Sequence, residues 1–158
     1  IDPTAWIGHG VYIASAQGLK LGRGSVVANG CYLDSVGSIT IEDDAGCGPR
    51  CILLTGSHEI EPSSARVNKS KSIHAPIVVR AGTWIQAGVI VTQGTELGPG
   101  SVVLVGSIVT KDVKPNCMYG GSPARRIRGL PLDEVSDSSG PALGPSWEVD
   151  GHDVQRTD

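Results

Sequence analysis

The sequence of 158 residues contains no phenylalanine, and aromatic residues make up only 4% of it. Large rings usually fill the core of a sandwich or barrel, so their scarcity favours a narrow interior of Val, Ile and Leu. The net charge of −3 leaves no basic surface of the kind that binds nucleic acid. No apolar run is long enough to span a membrane and no signal peptide is visible, so the sequence predicts a soluble, cytoplasmic protein.

What the sequence has instead is a six-residue repeat, which runs without interruption through residues 79–113. The fifth position is small or β-branched, and the fourth is glycine until Asp112 replaces it. The first position is always aliphatic: Val79, Ile85, Val91, Leu97, Val103 and Val109. One glycine per unit predicts a corner with positive φ, which Asp tolerates better than most residues. Because helices and collagen have other periods, we expect short strands and turns, three units to a triangular coil, with the first position pointing inward.

The same repeat continues less regularly from Ile7 to Leu53. Two of its steps are eight residues long, and we interpret them as one corner widened in successive coils. The whole pattern predicts roughly six coils. Cys47 falls in a first position, and Cys31 and Cys51 fall in fifth positions. These cysteines therefore read as small apolar fillers, since the second pair that a zinc site would need is missing.

The repeat is broken once, by a polar insertion over residues 55–76. Such a long interruption of a regular solenoid is usually either functional or disordered. It begins with Thr55-Gly56-Ser57-His58-Glu59. The repeat ends at Lys114-Pro115-Asn116, and a cationic segment follows. We therefore predict one domain over residues 1–128 and a flexible acidic tail over residues 129–158.

Several segments also occur in a specific order: Leu54-Thr55-Gly56-Ser57-His58, Ala75-Pro76-Ile77-Val78-Val79, Trp84-Ile85, Ser107-Ile108-Val109-Thr110-Lys111-Asp112-Val113 and Gly121-Ser122-Pro123-Ala124-Arg125. Together with the repeat they resemble the hexapeptide-repeat acyltransferases, in the branch of the galactoside, maltose and exopolysaccharide O-acetyltransferases. The resemblance spans about residues 5–128. It implies an all-β, left-handed parallel β-helix that forms a homotrimer. It also implies that acetyl-CoA lies between adjacent prisms and that the insertion closes over the site.

The resemblance assigns two residues to catalysis. His58 aligns with the family's general base, for which a neutral imidazole is suited because its ordinary pKa is near the working pH. Asn29 resembles the asparagine that hydrogen-bonds near the acceptor and the tetrahedral intermediate. An asparagine that stabilises a turn beside Gly30 is an equally good interpretation of Asn29.

The resemblance assigns seven residues to acetyl-CoA. Trp84 matches the aromatic residue beside the pantetheine arm, although it could also cover the prism. The remaining six line the cleft or approach the nucleotide and its phosphates: Ala87, Val105, Thr110, Lys111, Arg125 and Arg128. Guanidinium groups suit phosphate oxygens, but the cationic segment could equally be a solvated surface. The sequence departs from the family at Gln86 and at Leu104-Val105, where smaller residues are usual.

These assignments predict direct acetyl transfer from acetyl-CoA to a hydroxyl of a sugar or saccharide-containing acceptor, without a covalent intermediate and without a metal. An N-acyltransferase of a nucleotide-linked amino sugar, or an antibiotic acetyltransferase, could use the same base and cleft. A non-catalytic trimeric scaffold is a further alternative. A carbonic anhydrase of the γ type would need three histidine ligands, and only His58 and His74 lie near the insertion.

Overall fold

The chain folds as a coil of short strands that stack into three sheets. The computed structural model describes residues 1–64 and 71–131. The strands in chain order are β1 (Trp6–Ile7), β2 (Tyr12–Ile13), β3 (Leu19–Leu21), β4 (Val26–Val27), β5 (Tyr32–Asp34), β6 (Ile39–Ile41), β7 (Gly46–Cys47), β8 (Ile52–Leu54), β9 (Gly56–His58), β10 (Ser72–His74), β11 (Ile77–Val79), β12 (Trp84–Ile85), β13 (Ile90–Thr92), β14 (Glu96–Leu97), β15 (Val102–Val103), β16 (Ile108–Val109), β17 (Cys117–Gly120) and β18 (Arg125–Gly129). These strands make about five coils rather than the expected six.

The three sheets form the faces of a prism, which we call faces A, B and C. Face A contains β1, β4, β7, β12, β15 and β17, face B contains β2, β5, β8, β13 and β16, and face C contains β3, β6, β11 and β14. Within each of these sets neighbouring strands are parallel, so that Ile85, for example, lies between Cys47 and Val103. Strand β18 is antiparallel to β17 and ends face A. The predicted all-β parallel coil is confirmed.

The interior is the row of aliphatic first positions that the repeat predicts. Each of Val79, Ile85, Val91, Leu97, Val103 and Val109 is buried. The three cysteines of the repeat are buried beside this row, as expected of small fillers. Burial raises the pKa of the Cys47 thiol, which therefore stays protonated.

Glycines make most of the corners, and the predicted positive φ is confirmed at eight of them: Gly10, Gly24, Gly30, Gly82, Gly88, Gly94, Gly100 and Gly106. Asp44, Arg50 and Asn116 adopt the same left-handed conformation. The expectation for Asp112 is wrong, since its φ is not positive. Asp112 closes its corner with its side chain, because Oδ1 accepts a hydrogen bond of 2.8 Å from the backbone N–H of Glu96.

The faces meet at three edges. The A–B edge contains residues 9–10, 29–30, 49–50, 87–88 and 105–106, and the C–A edge contains residues 23–24, 43–44, 81–82, 99–100 and 115–116. The B–C edge is irregular. It is widened by a 3-10 turn at Ala16–Gly18 in the first coil and by residues 35–38 in the second, as predicted from the eight-residue steps.

The insertion interrupts the B–C edge in the third coil. It is not structureless, since β9 and β10 pair to form an antiparallel ribbon. Its base is closed by a hydrogen bond of 3.0 Å from the backbone N–H of Ala75 to the carbonyl of Thr55. Residues 65–70 of the insertion and residues 132–158 of the expected acidic tail lie outside the described residues. In the described part, no helix is long and apolar enough to cross a membrane.

Candidate active site

His58 lies at the end of β9, in the ribbon that leaves the B–C edge. It pairs with Ser72 of β10, and its side chain is exposed. Just beyond this pair, the backbone N–H of Glu59 donates a hydrogen bond of 2.9 Å to the carbonyl of Lys71. The ribbon therefore holds an accessible imidazole at a defined position, where it can accept a proton from a bound molecule.

The base of the ribbon is anchored to the preceding coil through Asp34, the last residue of β5. The Asp34 carboxylate oxygen Oδ2 accepts a hydrogen bond of 2.9 Å from the backbone N–H of Gly56. The Asp34 carbonyl accepts another from the buried Thr55 hydroxyl, which in turn accepts one of 2.9 Å from the backbone N–H of Gly37. The backbone and the side chain of Asp34 both accept hydrogen bonds from the base of the ribbon. These bonds fix the direction in which the ribbon leaves the prism.

A second candidate region is an open groove of about 680 Å³ on the A–B edge. Asn29, Ala87 and Val105 line it together with Gly30, Pro49, Arg50, Gly88 and Gly106. The side-chain oxygen of Asn29 accepts a hydrogen bond of 2.9 Å from the backbone N–H of His9, one coil away. Gln86 Oε1 accepts a similar bond of 3.0 Å from the backbone N–H of Val105. Three residues assigned from the sequence therefore share one groove, and two side-chain oxygens already bind backbone donors along its edge.

Trp84 points outward from face A and is 57% exposed. Its neighbour in the stack is Gly46 of β7, which leaves a notch beside the indole. Most of the ring is therefore accessible, as a residue bordering a ligand requires.

The cationic segment forms a third region at the end of the coil. Lys111 and Arg125 line a shallow pocket with Asp112, Tyr119, Ala124 and Arg126. Arg126 also donates a hydrogen bond of 3.2 Å from Nε to the sulfur of Cys117, which raises the pKa of Arg126. Thr110 is exposed next to Lys111, whereas Arg128 is exposed on β18 outside the pocket.

Within one chain, the residues of the groove and His58 lie on two different edges. Asn29, Ala87 and Val105 lie on the A–B edge, and His58 lies on the ribbon of the B–C edge. Face B separates them, since strand β5 (Tyr32–Asp34) lies between the corner at residues 29–30 and the strand end from which the ribbon leaves. A single chain does not bring His58 and Asn29 together.

The chain is similar to several acetyltransferases of known sequence or structure. Galactoside O-acetyltransferase of Escherichia coli is 28% identical over 130 residues, which cover 82% of this chain and 63% of that protein. The crystal structure of a hexapeptide-repeat acetyltransferase from Vibrio cholerae is 31% identical with a TM-score of 0.67, and the match covers 79% of this chain and 73% of that one. The chain belongs to the hexapeptide-repeat acetyltransferases.

Two further solved structures, one of them of a sugar O-acetyltransferase, are similar to the chain. A crystal structure of the Vibrio hexapeptide-repeat acetyltransferase with acetyl-CoA gives a TM-score of 0.75 at 29% identity, covering 81% of this chain and 69% of that one. A maltose O-acetyltransferase from Clostridium difficile gives 0.76 at 26% identity, covering 82% and 68%. A search of protein-family models finds no match. The chain spans 47 to 63% of the length of the curated relatives that it matches.

Two residues of this hexapeptide-repeat acetyltransferase are missed by the sequence analysis. Asp34 receives no role there, and His74 is considered only as a metal ligand. The structure places both beside Gly56 at the base of the ribbon. One signal for Asp34 is present in the sequence, since it is an acidic residue that ends an apolar strand one coil before the insertion. The position of His74 depends on the pairing of β9 with β10, which the repeat does not predict.

Proposed function

We propose that this chain is the catalytic part of an acetyltransferase that moves the acetyl group of acetyl-CoA to a hydroxyl of a sugar or saccharide-containing acceptor. The observation that carries the proposal is the exposed imidazole of His58 on an anchored ribbon. The acetyl-CoA complex of the Vibrio relative supports the same donor here.

In the proposed reaction, neutral His58 takes the proton of the acceptor hydroxyl as its oxygen attacks the thioester carbonyl. The tetrahedral intermediate then collapses, an ester forms, the C–S bond breaks, and the imidazolium returns the proton to the leaving thiolate of CoA. Backbone N–H donors near the carbonyl oxygen would stabilise its negative charge, which is worth about 3 to 4 kcal/mol per donor in acyl transfer. Asn29 would provide a further donor to this intermediate.

The donor would lie with its pantetheine arm along Trp84, Ala87 and Val105. Its phosphates would lie near Lys111 and Arg125, with Thr110 and Arg128 beside them. The described pocket supports this because three cations, Lys111, Arg125 and Arg126, line it beside the single carboxylate of Asp112. In this groove the backbone N–H of Val105 already donates to Gln86 Oε1. Acetyl-CoA could accept a hydrogen bond from this N–H only if Gln86 released it.

A homotrimer would solve the separation of His58 from Asn29, because an edge of one chain could complete the ribbon of the next. The outward side chains support such an assembly. The rows of faces A and B are mainly apolar and include Trp6, Val26, Trp84, Val102 and Met118 on face A, and Tyr12, Tyr32, Ile52, Ile90 and Ile108 on face B. The row on face C is Lys20, Thr40, Val78 and Glu96, which is mostly polar. Two faces are therefore suited to contact and one to solvent.

The test is calorimetric titration of acetyl-CoA into the wild type and His58→Ala, followed by thiol release with methyl β-D-galactopyranoside and maltose as acceptors. We expect both proteins to bind acetyl-CoA and the variant to lose at least about 100-fold in the rate of thiol release. Lys20→Ala, which changes an exposed residue of face C, is the control and should match the wild type. A folded wild type that does not bind acetyl-CoA would instead support the scaffold alternative.

A further inference from the structure

We propose that His74 is an acceptor-binding residue, which together with Asp34 selects acceptors that carry a second hydroxyl near the one that is acetylated. The inference rests on the proposed function, because it assumes that the acceptor approaches His58. It concerns which acceptors are used rather than how the acetyl group is transferred.

The first observation is that two polar side chains come close together around Gly56. A Cβ added to Gly56 would lie 3.0 Å from Asp34 Oδ2, 3.0 Å from His74 Nδ1 and 3.1 Å from His74 Cε1. Because both atoms lie 3.0 Å from the same point, the carboxylate oxygen and the imidazole nitrogen are separated by at most twice that distance. A carboxylate and an imidazole therefore flank Gly56 on the ribbon, and a side chain at residue 56 would crowd both of them.

The second observation is the register of the ribbon. His74 pairs with Gly56, and Ser72 pairs with His58. Paired residues of an antiparallel ribbon project to the same side, and so do residues two apart on one strand. His58 and His74 are therefore diagonal neighbours on one side of the ribbon, at a typical separation of roughly 7 Å. A single sugar ring can reach both imidazoles.

The third observation is that the backbone beneath His74 is held in place. The Cβ of His74 lies 3.1 Å from where a Cβ of Gly37 would be, so the two segments pack without room for a larger residue. Next to it, the Ala75 N–H is hydrogen-bonded to the Thr55 carbonyl at 3.0 Å. The backbone of His74 is therefore fixed, which keeps its imidazole on the same side of the ribbon as His58.

The chemistry of the pair suits a hydroxyl. An ionised carboxylate only accepts hydrogen bonds, whereas a neutral imidazole can donate from one nitrogen. A hydroxyl that approaches between the two side chains can donate to Asp34 and accept from His74 at the same time. Loss of the imidazole would cost that hydroxyl one hydrogen bond, which corresponds to about 10-fold in acceptor affinity.

The experiment measures thiol release against acceptor and acetyl-CoA concentration in the full chain and in His74→Phe and His74→Asn. Phe keeps a ring over Gly37 without a hydrogen-bonding atom, and Asn keeps a donor near the position of Nδ1. With methyl β-D-galactopyranoside or maltose, we expect His74→Phe to raise the acceptor KM about 10-fold while the KM of acetyl-CoA stays unchanged. His74→Asn should recover most of the loss, and the pH profile should stay that of the wild type because His58 remains.

A second readout uses monodeoxy derivatives of methyl galactoside. If His74 binds a second hydroxyl, one deoxy position should raise the acceptor KM in the wild type and have little further effect in His74→Phe. Equal acceptor KM values for the wild type and His74→Phe would overturn the inference while leaving the transferase intact. No thiol release by the wild type with any of these acceptors would overturn the proposed function itself, and the role of His74 with it.

Discussion

Arg80 joins three successive coils at the end of face C. Its Nη1 donates to Glu42 Oε1 at 2.7 Å, and its Nε and Nη2 donate to the two carboxylate oxygens of Glu96, each at 2.9 Å. Such a two-pronged contact is geometrically favourable even where solvent weakens its charge. The hydrogen bonds from Arg80 lower the pKa of Glu96.

This lowered pKa predicts a pH-dependent stability. A carboxyl group whose pKa is lower in the folded state stabilises the fold above its ordinary pKa and loses that effect as the pH falls. We expect Arg80→Met to have a lower Tm than the wild type at pH 7, with a difference that shrinks below the ordinary glutamate pKa of about 4.3. Thermal unfolding followed by circular dichroism between pH 7 and pH 3 measures it. A difference that is constant over this range would contradict the assignment.

At Gly88 the effect of backbone conformation on a corner can be tested separately from side-chain packing. Its φ is +67°, and an added Cβ would meet nothing within 4 Å, so Gly88→Ala changes conformational strain but not packing. We expect Gly88→Ala to lower the free energy of unfolding by about 1 to 2 kcal/mol. Gly88→Asn should cost less, because asparagine adopts the left-handed region more readily. Denaturant titration of both variants would refute the argument if Asn were as costly as Ala.

The repeat predicted the positions of some residues and not of others. The two groups differ in the interactions that determine where they lie. Val79 and the later first positions are set by local periodicity, since each unit repeats the same turn. Gly56 and His74 are set by pairing across the insertion, where no period applies. Arg50 shows the same limit on a smaller scale, because it takes a left-handed corner that its residue type does not suggest. Asp112 was expected in such a corner and instead closes the edge with its carboxylate.

The ribbon of β9 and β10 is the one described element that breaks the stack, and this makes it separable from the core. Thr55 and Ala75 are joined by a backbone hydrogen bond of 3.0 Å at the base of the ribbon, so replacing residues 56–74 with a two-residue Asn-Gly turn would keep that closing pair. We expect this variant to stay folded and to bind acetyl-CoA, with thiol release reduced at least about 100-fold. Calorimetry and the thiol assay together measure this.

His58→Ala in the intact ribbon is the matched comparison for that excision. If His58 is the base, the two variants should lose thiol release to a similar extent. Loss of cooperative unfolding in the excised variant alone would show that the ribbon supports the coil, contrary to the expectation.

At the scale of the whole molecule, the contrast between the faces makes assembly testable. Ile90 of face B and Val78 of face C are both aliphatic, outward and half-buried. We expect Ile90→Lys to convert a trimer to a monomer, because a lysine in an apolar contact loses solvation without a partner. Val78→Lys should leave the mass unchanged. Sedimentation velocity distinguishes them, and equal masses for the two variants would exclude face B as a contact.

The irregular B–C edge has a consequence for how this fold can change. A 3-10 turn, a widened turn and a ribbon occupy the same edge in successive coils, while the strands on either side stay in register. Length differences are therefore absorbed at one edge, and the aligned interior row is undisturbed. A foreign loop grafted between residues 16 and 18 should be tolerated and would lie beside the ribbon, whereas the turn at residues 35–38 is constrained because Gly37 is hydrogen-bonded to Thr55. The B–C edge thus offers more than one position at which acceptor specificity could be changed while the core stays unaltered.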